Sequence, residues 1–389
     1  MVSGCILRGE AKTGFTLKVY VIILIALIVG VTFAYVLFST PPSQSGSDIY
    51  SQHNTIALNA AGASFPYPLI NSIINQYTNN LASNILINYQ PLGSGAGISA
   101  LKAKTIDFAA SDVPLKDSEL TNMPTVLHMP ETIGAVVLAY NLPGVPLGLK
   151  LTGELIADIF LGKLTKWNDA SIQSLNPEIM LPDKEIITVH RSDGSGTTYI
   201  FTSYLCQLSF EWSEEVGRGK SVGWVSGIGA PGNTGVASVI QGNKYVMGYV
   251  ELSYAVENNM SLVAIQNSAG NWIMPSLESI QTAVESGAAS GLPGGNESWI
   301  NVNVLNSPDP QAYPIASFSY LLTYQELNVL SGMTLEKAEA LVEFLWYVVH
   351  DGQNLASELI YSPLPSNVVQ VNEQTIKSIT FNGQQVFKG

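Results

Sequence analysis

In "PYPLINSIINQYTNNL" (66–81) the apolar side chains Leu69, Ile73, Ile74 and Tyr77 recur at the spacing of one helix face. Pro66 or Pro68 suits the first turn of that helix, where the missing N–H is not needed. The preceding "TIALNAAGASF" reads as a short strand ending in small residues. The same alternation continues along the chain. "ILINYQPLGSGAG" predicts a strand and a glycine-rich turn, with "ISALKAKTIDF" as helix. "DFAASDVPL" predicts a strand running into a polar tip, and "AVVLAYNL" a short apolar strand. "TGELIADIFLGKL" predicts a helix capped by Thr152. "EIITVHRSDGSGTTYIFTSYLCQL" predicts strand, loop and helix, and "YVMGYVELSYAVENN" strand and helix. "TLEKAEALVEFLWYVVHDG" predicts a helix between Thr334 and Gly352, with Phe344, Trp346 and Tyr347 as core packing. Short apolar runs alternating with helical periods predict an α/β protein.

The first forty residues follow another pattern. "LKVYVIILIALIVGVTFAYVLF" (17–38) carries one charge, Lys18, at its edge. About 22 residues at ~1.5 Å each span a bilayer core of roughly 30 Å. Arg8, Lys12 and Lys18 lie before or at its start, so the positive-inside rule predicts a cytoplasmic segment 1–16 and a single-pass anchor 17–38, with the rest of the chain outside. A cleaved secretory signal is the rival reading, leaving a secreted protein; its apolar core is shorter, and "YVLFST" has no Ala-x-Ala pattern. The Pro/Ser/Gly-rich stretch 39–55 predicts a stalk. With Cys5 across the membrane, Cys206 is left without an intrachain disulfide partner. Asn259 and Asn296 stand in short glycosylation acceptor patterns.

The chain of 389 residues, with 46% hydrophobic residues, is long enough for two globular lobes. A net charge of −13 and the absence of any Lys/Arg-rich run argue against nucleic-acid binding. Four strand tips carry the candidate chemistry: "AGASF" (61–65), "LGSGAG" (92–97), "AASDVP" (109–114) and "RSDGSGTT" (191–198). Each offers backbone N–H groups with little bulk, and Ser64, Ser94, Ser195 and Thr197 add hydroxyls. Ligands of open α/β sheets lie at such tips, where helix N-termini favour anions. Arg191 supplies a planar fork that matches a phosphate or sulfate oxyanion. "GSGAGI" fails G-x-G-x-x-G and there is no P-loop, so nucleotide binding has no support. No base is evident for Ser195, His128 sits in apolar surroundings, and His190 points away from Arg191. No HExxH or Cys/His cluster points to a metal or cofactor. These features predict a binding protein rather than an enzyme.

In order along residues 56–370, "AAGASFPYPL", "YQPLGSGAG", "TIDFAASDVPL", "DIFLGKLTKWND", "RSDGSGTTYIFTSYL", "GYVELSYA" and "YSPLP" resemble the PstS-type phosphate-binding proteins that serve ABC importers. The resemblance implies a two-lobed type II periplasmic-binding-protein fold with the ligand in the interlobe cleft. It implies lobe I from 56–135 and 312–389, and lobe II from 136–311. It implies a phosphate site at Ser64, Phe65, Ser94, Asp112, Arg191, Ser195, Gly196 and Thr197, with Asp193 steadying the Arg191 fork. Phe65 would offer its backbone N–H. Ser64 stands where the family often has Thr, and His190 where it often has Arg. The implied partners are inorganic phosphate and the permease and ATPase of an importer. Asp112 fits an anion that carries a proton, because phosphate can donate an O–H to a carboxylate and sulfate cannot. The alternatives are another oxyanion, sulfate or molybdate, and a phosphate sensor or phosphatase-like protein.

Overall fold

The computed structural model describes residues 55–288 and 291–388. The expected anchor at 17–38, its flanking segment 1–16 and the stalk up to residue 54 lie outside the described residues. Among the described residues no helix is long and apolar enough to cross a membrane.

Eleven strands form one sheet: β1 (Ile56–Gly62), β2 (Ile85–Gln90), β3 (Phe108–Ser111), β4 (Val126–Asn141), β5 (Leu149–Leu151), β6 (Ile187–Arg191), β7 (Ile228–Ala230), β8 (Val246–Glu251), β9 (Ser261–Gln266), β10 (Trp272–Ile273) and β11 (Ala316–Tyr324). The order is β2-β1-β3-β11-β4-β8-β6-β7, and β9 joins β4, β5 and β10 beside this path. β1 runs parallel to β2 and β3, and β6 runs parallel to β7 and β8. Parallel neighbours need crossovers, and helices supply them. The Tyr67–Asn80 helix joins β1 to β2, and the Ser94–Lys102 helix joins β2 to β3.

The sheet belongs to two lobes that share β4. Its first part pairs antiparallel with β11, from Tyr324↔Val126 to Ala316↔Ala135. Its last part pairs antiparallel with β8, from Val136↔Glu251 to Asn141↔Val246. The chain returns beside the point of change: Val136 N–H donates to Ile315 O, and the Tyr313 hydroxyl to Val136 O. Two adjacent crossings of this kind are hinge geometry. The strand expected over "AVVLAYNL" is thus the end of one 16-residue strand. Every residue from Val126 to Tyr140 is buried, so no in–out alternation marks its length.

The Tyr67–Asn80 helix buries Leu69, Ile70, Ile73, Ile74 and Tyr77, the face read from the periodicity. The Leu335–Val349 helix, capped by Thr334 on Lys337 N, buries Phe344 and Tyr347 against Tyr77. Trp346 is only half-buried and stacks between His350 and Phe387. The Ser366–Lys377 helix follows, beyond the last predicted one. In the second lobe Phe201 and Trp224 stack on Tyr249 of β8, and Phe160 meets Phe201 edge-on.

Candidate functional site

In the first lobe, Ser64 and Phe65 follow β1, Ser94 opens its helix, and Asp112 follows β3. All four are buried. Gly93 sits at φ +95°, and a side chain there would strike Asp193 and Gly194 of the opposite lobe. This glycine is what lets the two tips touch. Ser94 Oγ accepts from Asp112 N at 3.3 Å and lies 3.5 Å from Asp112 Oδ2. Ser319 on β11 donates to Asp112 Oδ1 at 3.0 Å.

In the second lobe, β6 ends at Arg191, and Ser195 caps the Gly196–Leu208 helix by accepting from Thr198 N. Arg191 is buried, and its Nε and Nη2 form a bidentate pair with Asp193. Gly232 N–H donates to Asp193 Oδ1 at 3.0 Å, so the carboxylate that holds the fork is itself held. Arg191 Nη1 reaches Thr197 Oγ1 at 3.3 Å. Burial pushes Asp193 upward, but the hydrogen bonds and charge of Arg191 outweigh it and leave the carboxyl below its usual range.

The two halves meet. Gly95 N–H donates to Gly194 O at 2.8 Å. A Cβ on Gly196 would stand 2.5 Å from both Asp112 Oδ2 and Ser94 Oγ. The Tyr254 hydroxyl donates to Ser64 O, and Lys220 pairs with Glu119 at the rim. All eight sequence-predicted residues and Asp193 thus lie at this junction. Phe65 faces the first-lobe core, and its carbonyl accepts from Tyr361 at 2.6 Å. His190 stacks on Trp224, and His128 is buried with Nε2 accepting from Leu115 N; burial drives His128 down to about 4.

Asn233 belongs to the same constellation and is absent from the sequence reading. Fully buried at the start of the Gly232–Gly242 helix, it donates to Ser64 Oγ through both its backbone N–H and Nδ2, each at 3.1 Å. Nδ2 also reaches Thr197 Oγ1 at 3.3 Å, and Oδ1 accepts from Glu251 N. The signal was a fifth Gly/Pro-rich strand tip, "GAPGNTG" (229–235), of the same type as the others.

A hydroxyl has one proton and two lone pairs. Ser64 Oγ already accepts from Asn233, Ser94 Oγ from Asp112 N, Ser195 Oγ from Thr198 N, and Thr197 Oγ1 from Arg191 and Asn233. Ser64, Ser195 and Thr197 are each left with an O–H to give, while the Ser94 O–H points to Asp112 Oδ2 at 3.5 Å. Three such donors and a guanidinium suit an anion. Asp112 is the counterweight: burial pushes it up to about 7, against the pull of Ser319, Arg191 and Ser94.

A family model described as "PBP superfamily domain" matches residues 49–351. The chain is 44% identical to the phosphate-binding protein PstS of Xylella fastidiosa over 85% of this chain and 86% of the relative. It is 36% identical to the PstS of Methanocaldococcus jannaschii, over 92% and 96% respectively. Among solved structures, a putative phosphate ABC transporter substrate-binding protein from Clostridium perfringens superposes with a TM-score of 0.57 at 18% identity, covering 79% of this chain and all of that one. That likeness is one of fold. At the sequence level the matches are far closer, and the chain belongs to the PBP superfamily and, within it, to the family of the PstS phosphate-binding proteins.

Proposed function

We propose that this chain captures inorganic phosphate between its lobes outside the cytoplasm and delivers it to the permease and ATPase of an ABC importer. The curated relatives carry the name phosphate-binding protein. The observation that carries the reading for this chain is the set of three hydroxyls with an O–H to give, Ser64, Ser195 and Thr197, gathered with the Arg191 fork and with one carboxyl, Asp112, that Ser94 and Ser319 hold. The ligand contacts are assigned to Ser64, Phe65 through its N–H, Ser94, Asp112, Arg191, Ser195, Gly196 and Thr197.

The choice of anion follows from proton count. Asp112 and a bound phosphate share a proton, whether it arrives as HPO₄²⁻ or H₂PO₄⁻. Sulfate brings none, so against ionised Asp112 two acceptors face each other unpaired, which sites built on hydrogen bonds reject strongly. This favours phosphate over sulfate or molybdate. A phosphatase would need an activated nucleophile or metals; among the described residues no His/Cys/Asp/Glu group is placed to hold a metal.

The pairing change of β4 at Ala135/Val136 and the return at Tyr313–Ile315 support lobe I as 56–135 with 312–389 and lobe II as 136–311. Contacts from both lobes then favour a closed form when the anion binds. The apolar run 17–38 supports an N-terminal single-pass anchor that keeps the binder beside its permease. Detergent-dependent extraction of the full chain checks the anchor. Isothermal titration of the full-length chain at pH 8 tests the ligand: phosphate binds, and sulfate binds at least about a thousandfold more weakly. Equal affinities would sink the proton argument.

A further inference from the structure

We propose that Glu131 is a positioning residue for anion binding: carrying a proton itself, it works through the Ser319 hydroxyl to keep Asp112 an ionised acceptor. The inference rests on the phosphate reading of the cleft.

The geometry starts from a backbone irregularity. β4 and β11 pair Tyr320 with Pro130 and Ser319 with Thr132, so Glu131 is the extra residue of a β-bulge. Bulges re-aim side chains beside functional sites. Here the bulge delivers a buried carboxyl to Ser319, whose Oγ lies 3.2 Å from Glu131 Oε1 and 3.0 Å from Asp112 Oδ1. One hydroxyl cannot donate to two carboxylates, since it has a single proton. Both contacts are satisfied only if one acid donates to Ser319 Oγ and the hydroxyl donates to the other.

The surroundings decide which acid holds the proton. Asp112 faces Arg191 across the cleft and accepts from the Ser94 hydroxyl at 3.5 Å. Glu131 has Ser319 as its side-chain hydrogen-bond partner and no salt bridge among the described residues. The other titratable groups nearby are Tyr89 on β2, Asp193 and Glu251 across the cleft, and Asp112 itself. Burial holds Tyr89 neutral and pushes Glu251 up, so both favour the uncharged form, and no cation among the described residues pairs with Glu131. The relay then runs from Glu131 O–H to Ser319 Oγ, and from Ser319 O–H to Asp112, whose other oxygen takes the O–H of phosphate. When Glu131 ionises, Ser319 must turn to one acid only and a second negative charge faces the anion.

Burial and the charge of Asp112 place the Glu131 transition at about 8, so the effect falls on the alkaline limb. Phosphate titrations of the full-length chain from pH 6.5 to 9.5 test this, with Glu131→Gln as the decisive variant. The Gln amide donates to Ser319 Oγ at every pH. The wild type therefore loses up to about tenfold in affinity by pH 9 relative to the Glu131→Gln profile, phosphate's own ionisation being common to both. Ser319→Ala cuts the relay, and in that background Glu131→Gln no longer changes the slope. Parallel pH profiles for wild type and Glu131→Gln, or an equal effect of Glu131→Gln with and without Ser319, overturn the inference while phosphate binding stands. A wild type that binds no phosphate at any of these pH values overturns the phosphate reading, and the inference with it.

Discussion

Asp112 stands in this cleft as an acid whose burial brings it to about 7, beside a guanidinium and three hydroxyls with an O–H to give. On the proposed phosphate reading, selectivity therefore depends on pH. Above 7 the carboxylate repels an anion without a proton; below 7 the neutral acid can donate to one. Asp112→Asn fixes the second condition permanently, because the amide offers N–H and loses the negative charge. The variant is expected to weaken phosphate by about 1–3 kcal/mol at pH 8, the cost of an unmatched buried group, and to bind sulfate measurably. Competition titrations of phosphate against sulfate at pH 6 and 8 check this. Unaltered sulfate exclusion in Asp112→Asn would remove Asp112 from the selectivity argument. Arg191 shows a related economy. Asp193 and Gly232 hold the fork before any ligand arrives, so its orientation costs little on binding.

Strands and helices bring these residues together by ending at the same seam, and glycines at the helix starts let the ends approach. Gly196 is one of them. A methyl group there would meet Asp112 and Ser94 at 2.5 Å, although alanine is otherwise the better helix former. Gly196→Ala is thus expected to leave the second lobe folded and to hinder closure. Overpacking of about 1–3 kcal/mol corresponds to roughly 5- to 150-fold weaker phosphate binding. Thermal melting together with titration separates the two effects; a large drop in melting temperature would show the strain to be inside one lobe. The seam was legible in the sequence where small residues cluster just after an apolar run, as at Gly62, Gly93 and Gly194. One-sided helices such as Tyr67–Asn80 were legible for the same reason, since a single buried face leaves a period. β4 was not, because both faces are buried along nearly its whole length. Its bulge at Glu131 and the facing Ser319 on β11 depend on a pairing between segments 188 residues apart. Asn233 was missed because its partners, Ser64 and Thr197, come from other tips, and an isolated asparagine in a Gly/Pro turn reads as turn chemistry.

At the scale of the whole molecule, the crossing between lobes is built around acids. Glu251 ends β8 opposite Val136, where β4 passes from one lobe to the other. Its Oε2 accepts from Ser253 N and lies 3.0 Å from the Tyr361 hydroxyl, which itself donates to Phe65 O at 2.6 Å. Ser253 Oγ also donates to Oε2 and lies 2.9 Å from the Tyr361 hydroxyl, so the acid is met by neutral groups and by no cation. Burial pushes Glu251 up to about 8, as it does Glu131, and Asp112 to about 7. In the unfolded chain the same groups titrate near 4. Between those values the folded protein binds more protons than the unfolded one, and stability falls as pH rises. The contribution is fully present below about 4 and is lost through 7–8, the reverse of an acid held in a salt bridge. Each such acid accounts for at most about 1.4 kcal/mol per pH unit, and less where an open cleft lets water reach it. Melting temperature should therefore fall from pH 6 to pH 9, and Glu251→Gln, which stays neutral, should flatten the slope. Net negative charge pushes in the same direction, but that background persists in the variant, so the difference between the two slopes isolates Glu251. If Glu251→Gln melts with the wild-type slope, Glu251 ionises in the folded state as it does in water. The Tyr361 contact would then be one carboxylate accepting, and the lobe crossing would hold no proton of its own.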